Sequence, residues 1–108
     1  MNAEQFITEF TEWAKEQDEI LGVLLVGSYA RNSARPDSDI DLVIITNKPE
    51  IYLNDDRWIK NFGVVKQIRE EDYKMVQARR VFYKNGLEVE YGITTKEWVK
   101  VDPIDSRN

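Results

Sequence analysis

Residues 20–46 of this 108-residue chain read ILGVLLVGSYARNSARPDSDIDLVIIT. Two aliphatic runs, Ile20–Val26 and Ile40–Thr46, enclose a polar segment that begins with Gly27-Ser28. Short aliphatic runs that are bounded by glycine or polar turn residues are typical of strands, and the first run has the composition of a buried one. The stretch therefore predicts a buried strand, a long polar connection and a second strand.

The Gly27-Ser28 pair follows the first predicted strand directly. A strand that ends in Gly-Ser and turns into a helix offers free backbone N–H groups to an anion, since glycine permits close approach and serine adds a hydroxyl. Taken alone, the pair is more typical of an ordinary helix N-cap. If the two strands are neighbours, this phosphate-type site faces the start of the second strand.

Asp39 and Asp41 open the second strand two residues apart. The period of two along a strand puts both carboxylates on one face and places Ile40 and Leu42 on the other. Two like charges at this separation repel each other and attract a cation. By itself the pair is also compatible with a turn-ending Asp39 and a solvent-facing Asp41.

A third carboxylate is expected from a hairpin with strands at 75–84 and 87–94, because Asn85-Gly86 suits a two-residue type I′ turn. Glu90 lies deeper in its strand than Glu88, so it is the costlier of the two to bury without a partner, and Glu88 is expected to be solvated. A two-residue turn places Arg79, Glu88 and Glu90 on one face and Phe82, Val89 and Tyr91 on the other.

Helical periodicity predicts a first helix over residues 3–19, with Asn2 as its N-cap. A short helix is expected at 54–61, with Trp58 and Ile59 facing inward, and a further strand at 64–70. This order of elements predicts an α/β (α+β) fold, with one domain over residues 1–108 and a mixed β-sheet backed by helices.

The composition excludes several kinds of chemistry, because the chain has neither Cys nor His. Disulfides, zinc fingers and His- or Cys-dependent triads are absent, and the remaining oxygen ligands favour Mg²⁺, Mn²⁺ or Ca²⁺. The net charge of −5 argues against a polynucleotide as the main partner. No apolar run approaches the ~20 residues that cross a bilayer, so a soluble, cytoplasmic protein without a membrane partner is expected.

Three carboxylates, a Gly-Ser anion site and the lack of histidine together favour divalent-metal phosphoryl or nucleotidyl transfer. Residues 27–42, with Gly27-Ser28 followed by Asp39-Ile40-Asp41 on the next strand, resemble the signature of the DNA polymerase β-like nucleotidyltransferase superfamily. Residues 87–92 resemble the third-carboxylate strand of its small bacterial branch, the minimal nucleotidyltransferases and aminoglycoside nucleotidyltransferase-like proteins. Asn32 departs from the pattern, since glycine is common there.

The resemblance implies the nucleotidyltransferase fold and a role for each matching residue. Asp39 and Asp41 would be metal ligands for Mg²⁺ or Mn²⁺, and Glu90 would complete the metal site or act as the base. The resemblance also implies that the nucleotide would be a nucleoside triphosphate, ATP being the usual choice. Its phosphates would be held by Gly27 and Ser28, with a further contact from Arg31 and a weaker one from Arg79.

Two functions from different classes follow from the resemblance. The first is an enzyme that transfers a nucleoside monophosphate, AMP from ATP, to a hydroxyl of a small molecule or protein. The alternative is a non-catalytic nucleotide-binding or antitoxin-like partner of a separate helical protein, since the chain ends at Asn108 without the further helices of many relatives. A plain α/β domain with an acidic edge is a third interpretation. The sequence leaves open the identity of the acceptor, the preferred nucleobase of the triphosphate and whether the protein forms a homo-oligomer.

Overall fold

Five strands, two α-helices and one 3₁₀ helix make up the part of the chain that the computed structural model describes, which is residues 2–27, 39–73 and 75–98. Residues 96–98, the last described residues, are also helical. In chain order the elements are α1 (Ala3–Lys15), β1 (Ile20–Val26), β2 (Ile40–Thr46), α2 (Pro49–Leu53), the 3₁₀ helix (Arg57–Phe62), β3 (Val65–Asp72), β4 (Gln77–Tyr83) and β5 (Glu88–Thr94).

Helix α1 begins at the predicted cap. Asn2 Oδ1 accepts a hydrogen bond from the Gln5 N–H at 2.8 Å, and the Asn2 N–H donates to Gln5 Oε1 at 3.0 Å, which completes a capping box. The helix ends at Lys15 rather than at the predicted residue 19. The N–H groups that follow donate to the carbonyl three residues earlier instead of four, as from Gln17 to the Ala14 carbonyl. This tighter geometry ends the α-helix.

The five described strands form one mixed sheet in the order β1-β2-β5-β4-β3, and among them only β2 and β5 run parallel. The helices cover one face of this sheet, where Phe10 and Trp58 pack on the Tyr91 ring with centroids 5.7 and 4.8 Å away. The predicted α/β class, with a mixed sheet backed by helices, is confirmed. The opposite face carries the acidic side chains of β2 and β5.

Strand β1 has the predicted bounds, but the prediction that it is buried is wrong. It lies at the edge of the sheet with β2 as its neighbour, and Leu21 and Leu24 are 53% and 41% exposed. An aliphatic run specifies a strand without specifying its position in the sheet, because position depends on pairing with distant residues.

The segment after β2 differs from the single helix predicted at 54–61. It forms α2, with Pro49 in its first turn, and then the 3₁₀ helix. Proline is well accommodated there, since its missing N–H would have no helical partner. Trp58 and Ile59 are buried as predicted, and the Trp58 Nε1–H donates to the Tyr52 carbonyl at 3.0 Å. Strand β3 is two residues longer at its end than the predicted 64–70.

The β4–β5 hairpin is confirmed, but its two-residue turn is wrong. The Tyr83 N–H donates to the Leu87 carbonyl at 2.9 Å, so the turn has three residues. Within it, Asn85 Oδ1 accepts a hydrogen bond from the Leu87 N–H, and Gly86 has a positive φ of +98°. This shifts the register by one residue and moves each β4 side chain to the other face. The observed pairs are Phe82 with Glu88, Val81 with Val89, Arg80 with Glu90 and Arg79 with Tyr91.

Candidate active site

The end of β1 meets the start of β2, because the two strands are antiparallel and Val26 pairs with Asp41. Gly27 follows with φ +75°, a conformation that side chains rarely adopt. A Cβ at Gly27 would overlap Asp41 Oδ2 and lie 3.2 Å from Asp41 Cγ. Glycine is therefore needed here for two reasons, the backbone conformation and the close approach of the carboxylate.

Asp41 and Glu90 lie side by side, since they are paired residues of the parallel strands β2 and β5. Burial raises the pKa of Asp41, as does the negative charge of Asp39, while contact with the Glu90 side chain and the charge of Arg80 act in the opposite direction. Burial also raises the pKa of Glu90. Burial is the largest cause in both cases, and it makes each of the two neighbouring carboxylates more ready to take up a proton or a cation.

Asp39 lies on the same face of the sheet as Asp41 and Glu90, because it contacts Arg80, which also contacts Glu90. The sequence reasoning did not single out Arg80. The Arg80 side chain is 19% exposed and stands among carboxylates from β3, β5 and the start of β2. Its Nη1 donates to Asp39 Oδ2 at 2.9 Å and to Glu88 Oε2 at 2.6 Å, its Nη2 to Glu90 Oε1 at 3.3 Å, and its Nε to Glu71 Oε1 at 3.4 Å. Glu88, expected to be solvated, is therefore part of this cluster.

The same cluster explains the charge state of Arg80. Burial alone would lower the pKa of the guanidinium, but its hydrogen bonds to Glu88 and Asp39 and the negative charges of Glu90 and Glu71 raise it above its ordinary value. Arg80 is a permanent cation next to the candidate site. The hairpin register could have indicated this contact, because a three-residue turn at Asn85-Gly86 puts Arg80 opposite Glu90.

Tyr73 is a second residue that the sequence reasoning missed. Its hydroxyl donates to Glu90 Oε2 at 2.8 Å and lies 3.2 Å from Glu71 Oε1, while the residue is 54% exposed. The hydrogen bond to Glu90 is the main reason why the pKa of Tyr73 rises to about 12. Both Glu90 oxygens thus have a hydrogen-bond donor, Arg80 on one and Tyr73 on the other.

A recess of about 310 Å³ opens beside Asp41 and Glu90. Its walls are mostly apolar, and the two carboxylates supply the charged part of the lining. The lining residues are Val26, Gly27, Asp41, Leu42, Val43, Tyr73, Val76, Ala78, Glu90 and Gly92. A small or planar group bound here would lie next to the acidic pair.

The profile of the nucleotidyltransferase domain family matches residues 7–100 of the chain. The chain belongs to this family. Members of this family generally use a nucleoside triphosphate and a divalent metal. The match covers every strand of the sheet together with Asp39, Asp41 and Glu90. It confirms the resemblance to the polymerase β-like nucleotidyltransferase superfamily, and it supports nucleotidyl transfer in general.

Two solved structures are similar to this nucleotidyltransferase domain in fold. One is an aminoglycoside 6-adenyltransferase from Bacillus subtilis, with a TM-score of 0.72 and 16% identity over 93% of this chain. The other is the GLD-2/RNP-8 complex, with a TM-score of 0.50 and 16% identity over 89% of this chain. The domain spans 38% of the length of each matched chain. No curated protein matches the sequence significantly.

The residues predicted to hold a metal fit Mg²⁺ or Mn²⁺ in their chemistry, since Asp39, Asp41 and Glu90 offer hard carboxylate oxygens. In the described ranges no three acidic side chains are grouped closely enough to hold one ion together. Asp39 and Glu90 are instead both hydrogen-bonded to Arg80. Their role as metal ligands stays a prediction.

The remaining predicted site residues fall into two groups. Ser28 and Arg31 lie outside the described residues. Arg79 lies on the helix-covered face, where its guanidinium donates to the Leu53 carbonyl at 3.3 Å and to the Ala78 carbonyl at 3.1 Å. The prediction that it shares a face with the two glutamates of β5 is wrong, because the hairpin register differs by one residue.

Within the described ranges no helix combines the length and the apolar character needed to cross a bilayer. The cytoplasmic location, the helical partner protein, a homo-oligomer and the extent of the domain over residues 1–108 stay predictions.

Proposed function

We propose that this domain transfers a nucleoside monophosphate, AMP from ATP, to a hydroxyl group of a small molecule or a protein. One observation carries the proposal: Asp41 and Glu90 lie side by side where β1 ends at Gly27, in a domain of the nucleotidyltransferase family. Metal-assisted transfer of this kind needs carboxylates and phosphate-binding backbone rather than histidine or cysteine.

Asp39, Asp41 and Glu90 would hold the divalent metal, Mg²⁺ or Mn²⁺. When bound, the metal neutralises charge on the triphosphate and favours attack by the acceptor oxygen. Gly27 packs directly against Asp41, so the backbone at the end of β1 lies beside a carboxylate proposed to hold the metal, and this closeness supports a phosphate position at this point. Ser28 and Arg31 would supply further phosphate contacts.

As an alternative to holding the metal, Glu90 has the features of a general base for the acceptor hydroxyl. Burial raises the pKa of its carboxylate, so it takes up a proton more readily than an exposed glutamate does. Tyr73 holds one Glu90 oxygen by a hydrogen bond and so limits the orientations of the carboxylate. As the proton passes to Glu90, the acceptor oxygen forms a bond to the α-phosphorus and pyrophosphate leaves.

The recess beside Asp41 and Glu90 supports the same assignment. It adjoins both carboxylates and offers mostly apolar walls from Val26, Val43 and Ala78. A substrate group bound against these walls would be held near the reacting atoms, and this positioning contributes strongly to catalysis.

The test is Asp41→Asn, with Asp18→Asn as the matched control. Asp18 is exposed in the turn before β1, at the opposite end of that strand from Gly27. Both variants and the wild type are incubated with α-labelled ATP, Mg²⁺ and a panel of hydroxyl acceptors, and circular dichroism confirms their folding. We expect the wild type and Asp18→Asn to transfer AMP, and Asp41→Asn to lose at least about a hundredfold in rate.

Two results would contradict the proposal. Transfer by Asp41→Asn at the wild-type rate would remove the assigned role of Asp41. A wild-type protein that binds ATP but transfers nothing to any acceptor, protein acceptors included, would favour the binding-module alternative instead.

A further inference from the structure

Arg80 occupies the centre of a cluster of carboxylates on the open face of the sheet. All three of its guanidinium nitrogens donate hydrogen bonds, to Asp39, Glu71, Glu88 and Glu90. The shortest contact, to Glu88, is 2.6 Å. In the described part of the chain, the ion pairs of Asp39, Glu88 and Glu90 are all made with this one arginine.

Without Arg80 these acidic groups would face one another with no opposite charge in contact. Asp39 is 40% exposed and keeps part of its hydration, but Glu90 is only 16% exposed. A partly buried carboxylate that loses its charged partner destabilises the fold, because its desolvation is no longer offset. In the metal-free protein Arg80 therefore stabilises the arrangement of these side chains.

Two partners of Arg80, Asp39 and Glu90, are also proposed metal ligands. Arg80 Nη1 is 2.9 Å from Asp39 Oδ2 and Nη2 is 3.3 Å from Glu90 Oε1, so one guanidinium already bridges them. A divalent ion bound by the same two carboxylates would lie close to this positive charge and be repelled by it. Asp41 makes no hydrogen bond to Arg80 and remains open toward the recess.

We propose that Arg80 is a positioning residue that acts as the resident counter-cation of this cluster: it holds Asp39 and Glu90 in the metal-free protein and competes with the divalent metal for them. The inference rests on the metal ligands named in the proposed function. Metal binding then breaks the Arg80 bonds to Asp39 and Glu90, while Glu88 and Glu71 remain as acceptors for the guanidinium.

Arg80→Gln, compared with Arg69→Gln, tests this competition. Arg69 pairs with Arg80 across β3 and β4 and is exposed, and its side chain makes no ion pair or hydrogen bond among the described residues, so its loss removes a neighbouring positive charge but no bond to the four carboxylates. Mn²⁺ alone, without nucleotide, is titrated into each protein and followed by electron paramagnetic resonance. Thermal unfolding is measured with and without Mn²⁺.

We expect Arg80→Gln to bind Mn²⁺ about tenfold more tightly than the wild type, because a unit charge close to a divalent ion is removed. Its metal-free melting temperature should fall, and its stabilisation by Mn²⁺ should exceed that of the wild type. Arg69→Gln should resemble the wild type in both measurements. A purely structural role for Arg80 would lower stability without tightening metal binding.

Equal or weaker Mn²⁺ binding by Arg80→Gln overturns the competition. If that variant folds neither with nor without Mn²⁺, Arg80→Lys decides, since lysine keeps the charge but cannot bridge several carboxylates with a planar fork. Arg80→Lys should then bind Mn²⁺ more tightly than the wild type by a smaller factor, and no increase overturns the inference. Because these titrations contain no nucleotide, their outcome is independent of whether AMP transfer is observed.

Discussion

Replacing Gly27 by alanine should destabilise the fold through two separable effects. The residue has φ +75°, and this conformation costs an L-residue about 1–2 kcal/mol. The new Cβ would also overlap Asp41 Oδ2, and overpacking of this kind costs a further ~1–3 kcal/mol. Gly86→Ala is the matched control, because Gly86 has φ +98° with nothing within 4 Å of the added Cβ.

A double-mutant cycle separates the two effects. Urea unfolding is measured for Gly27→Ala and Gly86→Ala, each in the wild type and in an Asp41→Ala background. In the wild type Gly27→Ala should cost more than Gly86→Ala by the overlap alone, about 1–3 kcal/mol or several degrees in melting temperature. With Asp41 truncated, the two alanine substitutions should cost similar amounts. If Gly27→Ala costs the same in both backgrounds, the close approach of Gly27 and Asp41 is not a feature of the folded protein.

Two further predictions concern stability away from the site. Tyr83→Phe should cost about 1–3 kcal/mol in urea unfolding, since it removes the hydrogen bond to the Ile59 carbonyl at 2.8 Å and leaves the buried Tyr91 hydroxyl without its partner at 2.7 Å. Burial raises the pKa of Tyr83 to about 12, so the stability that its neutral form contributes should be complete below pH 10 and be lost as the pH rises towards 12. Tyr83→Phe should flatten this alkaline loss, and an unchanged pH profile would contradict the assignment. Asn2→Ala should lower stability by about 1 kcal/mol through loss of the capping box with Gln5, and a variant as stable as the wild type would mean that α1 does not depend on this cap.

The capped start of α1, the bounds of β1 and β2 and the existence of the hairpin could be predicted from the sequence. Each depends on residues close together in the chain: Asn2 and Gln5 at a cap, an aliphatic run before Gly27, and Asn85-Gly86 at a turn. Local backbone preferences and hydrophobic period act over a few residues, so they can be seen in a single sequence.

The hairpin register could not be predicted in the same way. Asn85-Gly86 is compatible with a two-residue and a three-residue turn, and the choice decides whether Arg79 or Arg80 shares a face with Glu90. Burial of Val81 and Tyr83 on the helix-covered face, beside Val89 and Tyr91 of β5, selects the three-residue turn, because the other register would turn these two β4 side chains to the open face. The single-residue difference also explains why Arg80 was overlooked.

The sequence by itself determined which chemical groups this protein can use: a glycine after an aliphatic strand, Asp39 and Asp41 at period two, a glutamate-bearing hairpin, and no histidine or cysteine. Only the tertiary structure decided which of these groups meet. The parallel pairing of β2 with β5 brings Asp41 beside Glu90, and the β4–β5 register adds Arg80 as their neighbour. The physical reason is that strand order and register are set by burying the apolar face of the whole sheet, a requirement that no local stretch of sequence contains.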